Sequence, residues 1–445
     1  MALDAAVMTA VEQLGYRVTV GDVAARAGMN VRQAEQELLA LASDVGGTLQ
    51  VAETGDIAYV LPQDFRGILR AKYLRLRLQE AWQEIWNVVF YIIRASFGIF
   101  LVVSIVLIFL AIAAILIAMT TQGGRGNDRG GGGRSGGGGF NVFFFPDFWY
   151  FFGGGRRRSY GAQGQRDRGQ RGNRNPEKSE NDLNFLEGIY SFLFGDGNPN
   201  ENLEEERWQI IGQAIVKFQG AVTAEQLAPY LDLPNDPNGD EDFMIPVLSR
   251  FNGQPQVTDS GDIIYHFPEL QVTARKKRKN AVSIPTILEE KQWKFSQASS
   301  GQVMAAIALG TVNFIGALML WSLLGDGTIA AELGGLVAFV QSIFWLLLAY
   351  GIGFLGIPLG RYYWLLGVNS RIRDRNTQRQ RHAIVLERPS PTLVQKLAAA
   401  KQYAGENYVS ESDLAYTSEK DLIEQELESS DKIDAEWIKR LEGNS

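Results

Sequence analysis

Three stretches without a single charged residue, 95–119, 301–324 and 333–359, constrain this chain more than any other feature. An α-helix needs roughly 20 apolar residues to cross the hydrocarbon core of a bilayer. A soluble helix of that length needs a polar face, and these have none. Each stretch is therefore expected to be a transmembrane helix.

The second and third are joined by Gly325-Asp326-Gly327-Thr328-Ile329-Ala330-Ala331-Glu332, whose only charges are acidic, and are flanked by Arg275, Lys276, Lys277, Arg278 and Lys279 and by a basic segment, 360–381. The positive-inside rule puts both flanks in the cytoplasm or stroma and the acidic loop on the far side. The first span has basic residues on both sides: Arg66, Arg70, Lys72, Arg75, Arg77 and Arg94 before it, Arg156, Arg157, Arg158, Arg166, Arg168, Arg171 and Arg174 after it. One crossing cannot keep both on one side. Either the aromatic segment 140–152, bounded by glycines, takes the chain back into or across the membrane, or one basic flank is exported.

Outside the spans the sequence repeats itself. Gln50-Val51, Gly55-Asp56-Ile57-Ala58-Tyr59 and Pro62 match Gln256-Val257, Gly261-Asp262-Ile263-Ile264-Tyr265 and Pro268 at every offset. Upstream, Thr19 with Asp22 and Thr223 with Gln226 have capping-box spacing. Each copy reads as three helices and a two-stranded hairpin turning at Glu53-Thr54-Gly55 or Asp259-Ser260-Gly261. That is the plan of a winged helix, over residues 1–62 and 202–268. Ile57, Tyr59 and Leu61, like Ile263, Tyr265 and Phe267, would turn one strand face to the helices. The fold expected is a mainly α membrane protein: three transmembrane helices plus two winged-helix-like α+β soluble domains.

Winged helices often bind DNA, which depends on Lys and Arg neutralising phosphates. Here the first domain carries three basic against eight acidic residues, net −5, and the second three against eleven, net −8. The third helix of the first domain offers Arg32 followed by Glu35 and Glu37. Such surfaces repel DNA, so a protein partner is favoured. Wing positions Gly55, Asp56, Tyr59, Gly261, Asp262 and Tyr265 are expected to be structural.

Between the domains and spans, charge is segregated. Arg66, Arg70, Lys72, Arg75 and Arg77, interleaved with apolar residues in a basic juxtamembrane helix (63–94), suit a helix lying on anionic headgroups or a solvated helix that extends the span. The basic linker 269–300 carries Arg275 to Lys279. Residues 120–200, Gly/Arg-rich, are expected to be flexible. The tail, 382–445, is acidic and reads as two short amphipathic helices that dock on the basic belts or on another protein.

There is no cysteine, and the two histidines, His266 and His382, lie far apart. Thiolate chemistry and cysteine-ligated clusters are excluded, and no metal or cofactor is expected. The N-terminus lacks the apolar core of a secretory signal and reads as the start of a folded domain. No catalytic motif stands out, and the spans contain no ionisable residue of the kind that marks pumps and transporters.

The doubled Gly-Asp-Ile-x-Tyr-x-x-Pro motif, the Gly/Arg loop with its aromatic patch, the paired spans and the tail from Tyr408 to Glu426 resemble a family of cyanobacterial and chloroplast multi-pass membrane proteins of unestablished function. The resemblance implies a thylakoid, plasma or inner-envelope membrane. Plant members are sometimes labelled iron–sulfur cluster biosynthesis proteins, but a chain without cysteine cannot hold a cluster by thiolates. The expected function is a non-enzymatic membrane scaffold or assembly factor whose acidic domains bind protein partners. The alternatives are a membrane-tethered transcriptional regulator and a transporter.

Overall fold

The computed structural model describes residues 4–72, 74–122, 185–233, 241–274, 284–325, 328–410 and 414–421, with 423–425, 427 and 430. It divides into two compact units. One comprises Met1–Ala81, Pro199–Gln292 and Asn369–Ser445; the other comprises Trp82–Asn198 and Trp293–Val368.

The chain opens with α1 (Ala5–Leu14), β1 (Arg17–Thr19), α2 (Val20–Ala27), α3 (Val31–Val45), β2 (Thr48–Ala52) and β3 (Ile57–Val60). Short polar side chains start the helices. Asp4 accepts from the Ala6 N–H, Asn30 from the Arg32 N–H, and Thr19 and Asp22 form a reciprocal capping box. Next come α4 (Phe65–Lys72), α5 (Leu74–Gln122) and α6 (Phe185–Phe194). Phe65 and Leu69 of α4 are fully buried in the core of the first unit. The expected juxtamembrane helix therefore begins as part of a folded domain.

A second set of the same order follows: α7 (Leu203–Lys217), β4 (Ala221–Val222), α8 (Ala224–Leu227), α9 (Ile245–Phe251), β5 (Gln254–Val257) and β6 (Ile263–His266), then β7 (Val272–Thr273). The sheets run β1-β3-β2 and β4-β6-β5, antiparallel, with Val51 opposite Ile57 and Val257 opposite Ile263. Both sets share one hydrophobic core. They meet where α2 crosses α7, and glycine makes the approach possible: a Cβ on Gly212 would lie 2.7 Å from the Ala25 backbone, and one on Gly21 would lie 1.9 Å from the Glu269 carbonyl oxygen.

The rest of the chain comprises α10 (Ser300–Leu324), α11 (Thr328–Leu333), α12 (Gly335–Ser342), α13 (Phe344–Glu387), α14 (Pro391–Tyr403), β8 (Asn407–Tyr408) and β9 (Leu414–Thr417). The tail, expected to be helical, holds strands as well as α14 and the helical residues 423–425, 427 and 430. β9 pairs with β2, extending the first sheet to β1-β3-β2-β9, and β8 runs parallel to β7. An open sheet edge presents unpaired N–H and C=O groups, and β9 satisfies those of β2. Residues 431–445 lie outside the described residues.

The second unit is helical. Among the described residues three helices are long and apolar enough to cross a membrane: Val88–Thr121 within α5, Ser300–Leu324 and Phe344–Glu387. The first two expected spans fall inside helices. The third, 333–359, is interrupted twice: Gly334 and Gly335 take positive φ, 58° and 49°, where α11 gives way to α12, and Ile343 separates α12 from α13, so the long helix begins at Phe344. Within residues 120–200, where only flexible chain was expected, α6 is ordered. Its Ile189, Phe192 and Leu193 are buried against Leu101, Ala306 and Phe354. Residues 123–184, including the aromatic segment 140–152, lie outside the described residues.

Candidate interaction surface

The two hairpin turns have the same hydrogen-bond pattern. Ala52 N–H donates to Asp56 O and Gly55 N–H to Ala52 O, both at 2.9 Å; Thr258 N–H donates to Asp262 O and Gly261 N–H to Thr258 O, again at 2.9 Å. Gly55 and Gly261 sit at φ 87° and 85°, the left-handed position that closes a three-residue loop. Each aspartate accepts from the hydroxyl two residues before it at 2.8 Å, Asp56 from Thr54 and Asp262 from Ser260. These four residues shape the turns.

Tyr59 and Tyr265 occupy equivalent buried positions. Burial raises the Tyr59 phenol, helped by the charge of Glu35. Burial likewise raises Tyr265, whose hydroxyl also donates to Glu241 Oε2 at 2.6 Å. Tyr59, Leu61, Tyr265 and Phe267 face the helices as the alternation predicts, but Ile57 is exposed and Ala58 and Ile264 are fully buried. In the first set the reason is the tail: Ala58 packs with Ala52, Ala274 and Val409 on the other side of the sheet.

Two ionic clusters tie α13 and α14 to the second set. Lys396 Nζ lies 2.9 Å from Glu225 Oε1 and 2.8 Å from Glu241 Oε1. Burial opposes its charge, yet the two carboxylates outweigh burial and raise its pKa. Arg379, 2% exposed, reaches Asp232 Oδ1 at 2.5 Å, Glu290 Oε1 at 2.9 Å and Leu288 O at 2.8 Å. Arg375 also binds Glu290, and Arg207 binds Asp232. Burial alone would raise both carboxyl groups; the arginines instead hold them below the usual carboxylate range.

Sequence reading missed these anchors. Lys396 shares a buried helical stripe with Leu393 and Ala400, and Arg379 shares one with Ile372 and Ala383. A cation in register with an apolar stripe was the available signal.

Outward, α3 exposes Arg32, Glu35, Gln36 and Leu39. A cleft of about 900 Å³ beside α1, the end of α2 and α7 is lined by Asp4, Arg26, Glu204, Glu205, Trp208 and Arg250 among others. Arg26 donates to Gln13, and Arg250 donates to Gly28 O at 2.8 Å while lying 4.5 Å over the Trp208 ring. With both cations engaged, the exposed Glu205 leaves the rim acidic. Among the described residues no group of three or more His, Asp or Glu side chains could hold a metal ion.

Of the basic residues expected at the membrane surface, Arg66 is paired with Glu12, 2.5 Å and 3.0 Å away, and Arg70 is exposed on α4. Lys72, Arg75 and Arg77 lie on helical backbone, but their side chains are outside what is described. Arg275, Lys276, Lys277, Arg278 and Lys279 lie wholly outside the described residues.

In the second unit an aromatic layer surrounds α6. Phe97 packs on Tyr190 and Phe194, with centroids 5.8 and 4.9 Å apart, Phe192 on Phe295 at 5.9 Å, and Trp293 on Trp364 at 5.4 Å. Arg361 donates to Ser191 O at 3.2 Å and to Phe295 O, and stacks over the Phe295 ring. Rings and arginines at the end of long apolar helices are the pattern found at membrane–water interfaces.

No protein-family model and no solved structure matches the chain. It is 37% identical over 446 residues, 98% of its own length and 81% of the relative's, to the Arabidopsis thaliana protein named "Uncharacterized protein At5g03900, chloroplastic". At that identity and coverage, the chain belongs to the family of this chloroplastic plant protein.

Proposed function

We propose that this protein is a non-enzymatic scaffold or assembly factor of a chloroplast or cyanobacterial membrane, presenting two fused, acidic, winged-helix-like domains to protein partners on one face. The observation that carries it is the composition of the first unit, one fold built from residues 1–81, 199–292 and 369–445. Those pieces are separated in sequence by every apolar helix. They can pack together only on one side of a bilayer.

The helical unit supports the same topology. Phe97, near the start of the first span, touches Tyr190 and Phe194 of α6, and Gly98 faces Leu186. Gln122 ends α5 beyond the far end of the uncharged stretch 95–119, whereas α6 lies beside the start of that stretch, so the chain returns between them. Such a return keeps the N-terminal domain and the second domain together. DNA remains the less favoured partner, since both domains are strongly acidic and the exposed face of α3 sets Glu35 beside Arg32.

Two measurements test this. Single cysteines at Thr54, Ser260 and Ser410, in a chain that has none of its own, should all react with an impermeant thiol reagent from one side of sealed vesicles, and one at Thr328 from the other. Thr54 on the opposite side from Ser260 would sink the proposal. Purified full-length protein should show no salt-sensitive retention on double-stranded DNA; such retention would favour the membrane-tethered regulator.

A further inference from the structure

We propose that Arg94 binds the phosphate of an anionic lipid headgroup, a site that rests on the membrane reading above. Arg94 immediately precedes the uncharged stretch 95–119. Its guanidinium lies 5.6 Å from the centroid of the Tyr190 ring. That ring is held in a triad with Phe97 and Phe194, all three pairs of centroids being 4.9 to 5.8 Å apart. The residue is partly exposed, yet its Nε is buried and has no hydrogen-bond partner. Among the described residues no carboxylate or carbonyl answers this cation.

Arg361, the other arginine at α6, is a useful contrast. Its Nε is likewise buried without a partner, but its terminal nitrogens donate to the Ser191 and Phe295 carbonyl oxygens and it faces Asp196, so the protein itself answers its charge. Among the described residues Arg94 has only the face of the Tyr190 ring. A cation–π contact fixes the guanidinium but supplies no hydrogen-bond acceptor, and a buried charged donor left without one is costly. At the end of an apolar span the abundant acceptor is the headgroup phosphate. The guanidinium's planar fork of N–H donors matches two phosphate oxygens. Free inorganic phosphate offers the same chemistry, but the adjoining uncharged stretch 95–119 favours the lipid.

The test uses full-length protein in nanodiscs of phosphatidylcholine doped with phosphatidylglycerol, with bound lipid counted by native mass spectrometry after release. Wild type should retain phosphatidylglycerol over phosphatidylcholine. Arg94→Gln should lower that retention about tenfold, the scale of one charge-assisted hydrogen bond, with Arg94→Lys intermediate. Tyr190→Leu, which leaves the charge but removes its platform, should also lower it and provides a second variant if Arg94→Gln does not fold. Retention in Arg94→Gln equal to wild type overturns the site, as does displacement of the lipid by inorganic phosphate. Alkaline carbonate extraction separates the two levels: protein that stays in the membrane but shows no Arg94 effect loses this site alone, whereas protein released by carbonate loses the membrane reading too.

Discussion

The guanidinium of Arg17 donates to the carbonyl oxygen of Val409 at 3.0 Å, across 392 positions of sequence. The same side chain donates to Ala274 O at 2.7 Å and to Gln50 Oε1 at 2.9 Å. One arginine from the first β-strand thus fastens the stretch after β7 and the tail between β8 and β9. Arg17→Met would leave two carbonyl groups without their donor, at a cost of about 1–3 kcal/mol. Hydrogen exchange should speed up at Val409, whose amide donates to Thr273 O, and at Asn407, whose amide donates to Gln271 O. Unchanged protection at both would show that Arg17 does not hold the tail.

The contact between the two domain sets depends on the absence of side-chain atoms. An alanine at Gly21 would place its Cβ 1.9 Å from Glu269 O, inside any permissible separation, so α2 must move away from the segment after β6. Gly21→Ala should destabilise the first unit by about 1–3 kcal/mol. Gly46→Ala makes a matched control for steric effects, because nothing lies within 4 Å of its Cβ, although its positive φ, 69°, carries a backbone penalty of its own. Thermal unfolding in detergent should place Gly21→Ala below the control; equal midpoints would refute a steric cause.

The ionic clusters predict two different pH limits. Asp232 and Glu290 have folded-state pKa values below their ordinary 3.8 and 4.5. Their stabilisation is complete above those ordinary values and is lost as pH falls through the depressed ones. Lys396 is shifted upward from 10.5, so its contribution is complete below that value and is lost as pH rises through the raised one. The melting midpoint should therefore be flat near neutrality and fall at both extremes. Glu290→Gln should weaken the acid limb and leave the alkaline limb intact; an unchanged acid limb would rule out this cluster as its source.

How far the fold could be read from sequence depended on whether the signal was local. The apolar stretches 95–119 and 301–324 are self-sufficient, because backbone hydrogen bonds in lipid must close within the helix. The hairpin turns were equally legible, since Gly55 and Gly261 meet a conformational demand that few other residues meet. The third span has its long helix, but this begins at Phe344 rather than Leu333, because hydropathy does not register the breaks at Gly334 and Ile343. β9 was misread because four residues of modest strand propensity become a strand only when the β2 edge is present to pair with them. Tail strands and buried cations were hidden for one reason: their partners lie far off in sequence, from 85 positions for Arg375 and Glu290 to 392 for Arg17 and Val409.

Within the helical unit, Ser104 Oγ lies 2.7 Å from Asn313 Oδ1 and 2.9 Å from Leu101 O. A hydroxyl has one hydrogen and cannot donate to both, while Asn313 Nδ2 is buried without any acceptor. With the amide turned over, both groups find their partners. Nδ2 then donates to Ser104, Ser104 donates to Leu101 O, and the oxygen turns toward Gly351, where a Cβ would lie 3.5 Å from that atom. A double-mutant cycle of Ser104→Ala and Asn313→Ala, read by unfolding in detergent, should give a coupling of about 1 kcal/mol between α5 and α10. Gly351→Ala should leave the coupling unchanged, because a Cβ there would meet Phe314 and Asn313 at 3.4 to 3.6 Å, ordinary van der Waals contact. A coupling of zero would mean that apolar packing alone joins the two helices.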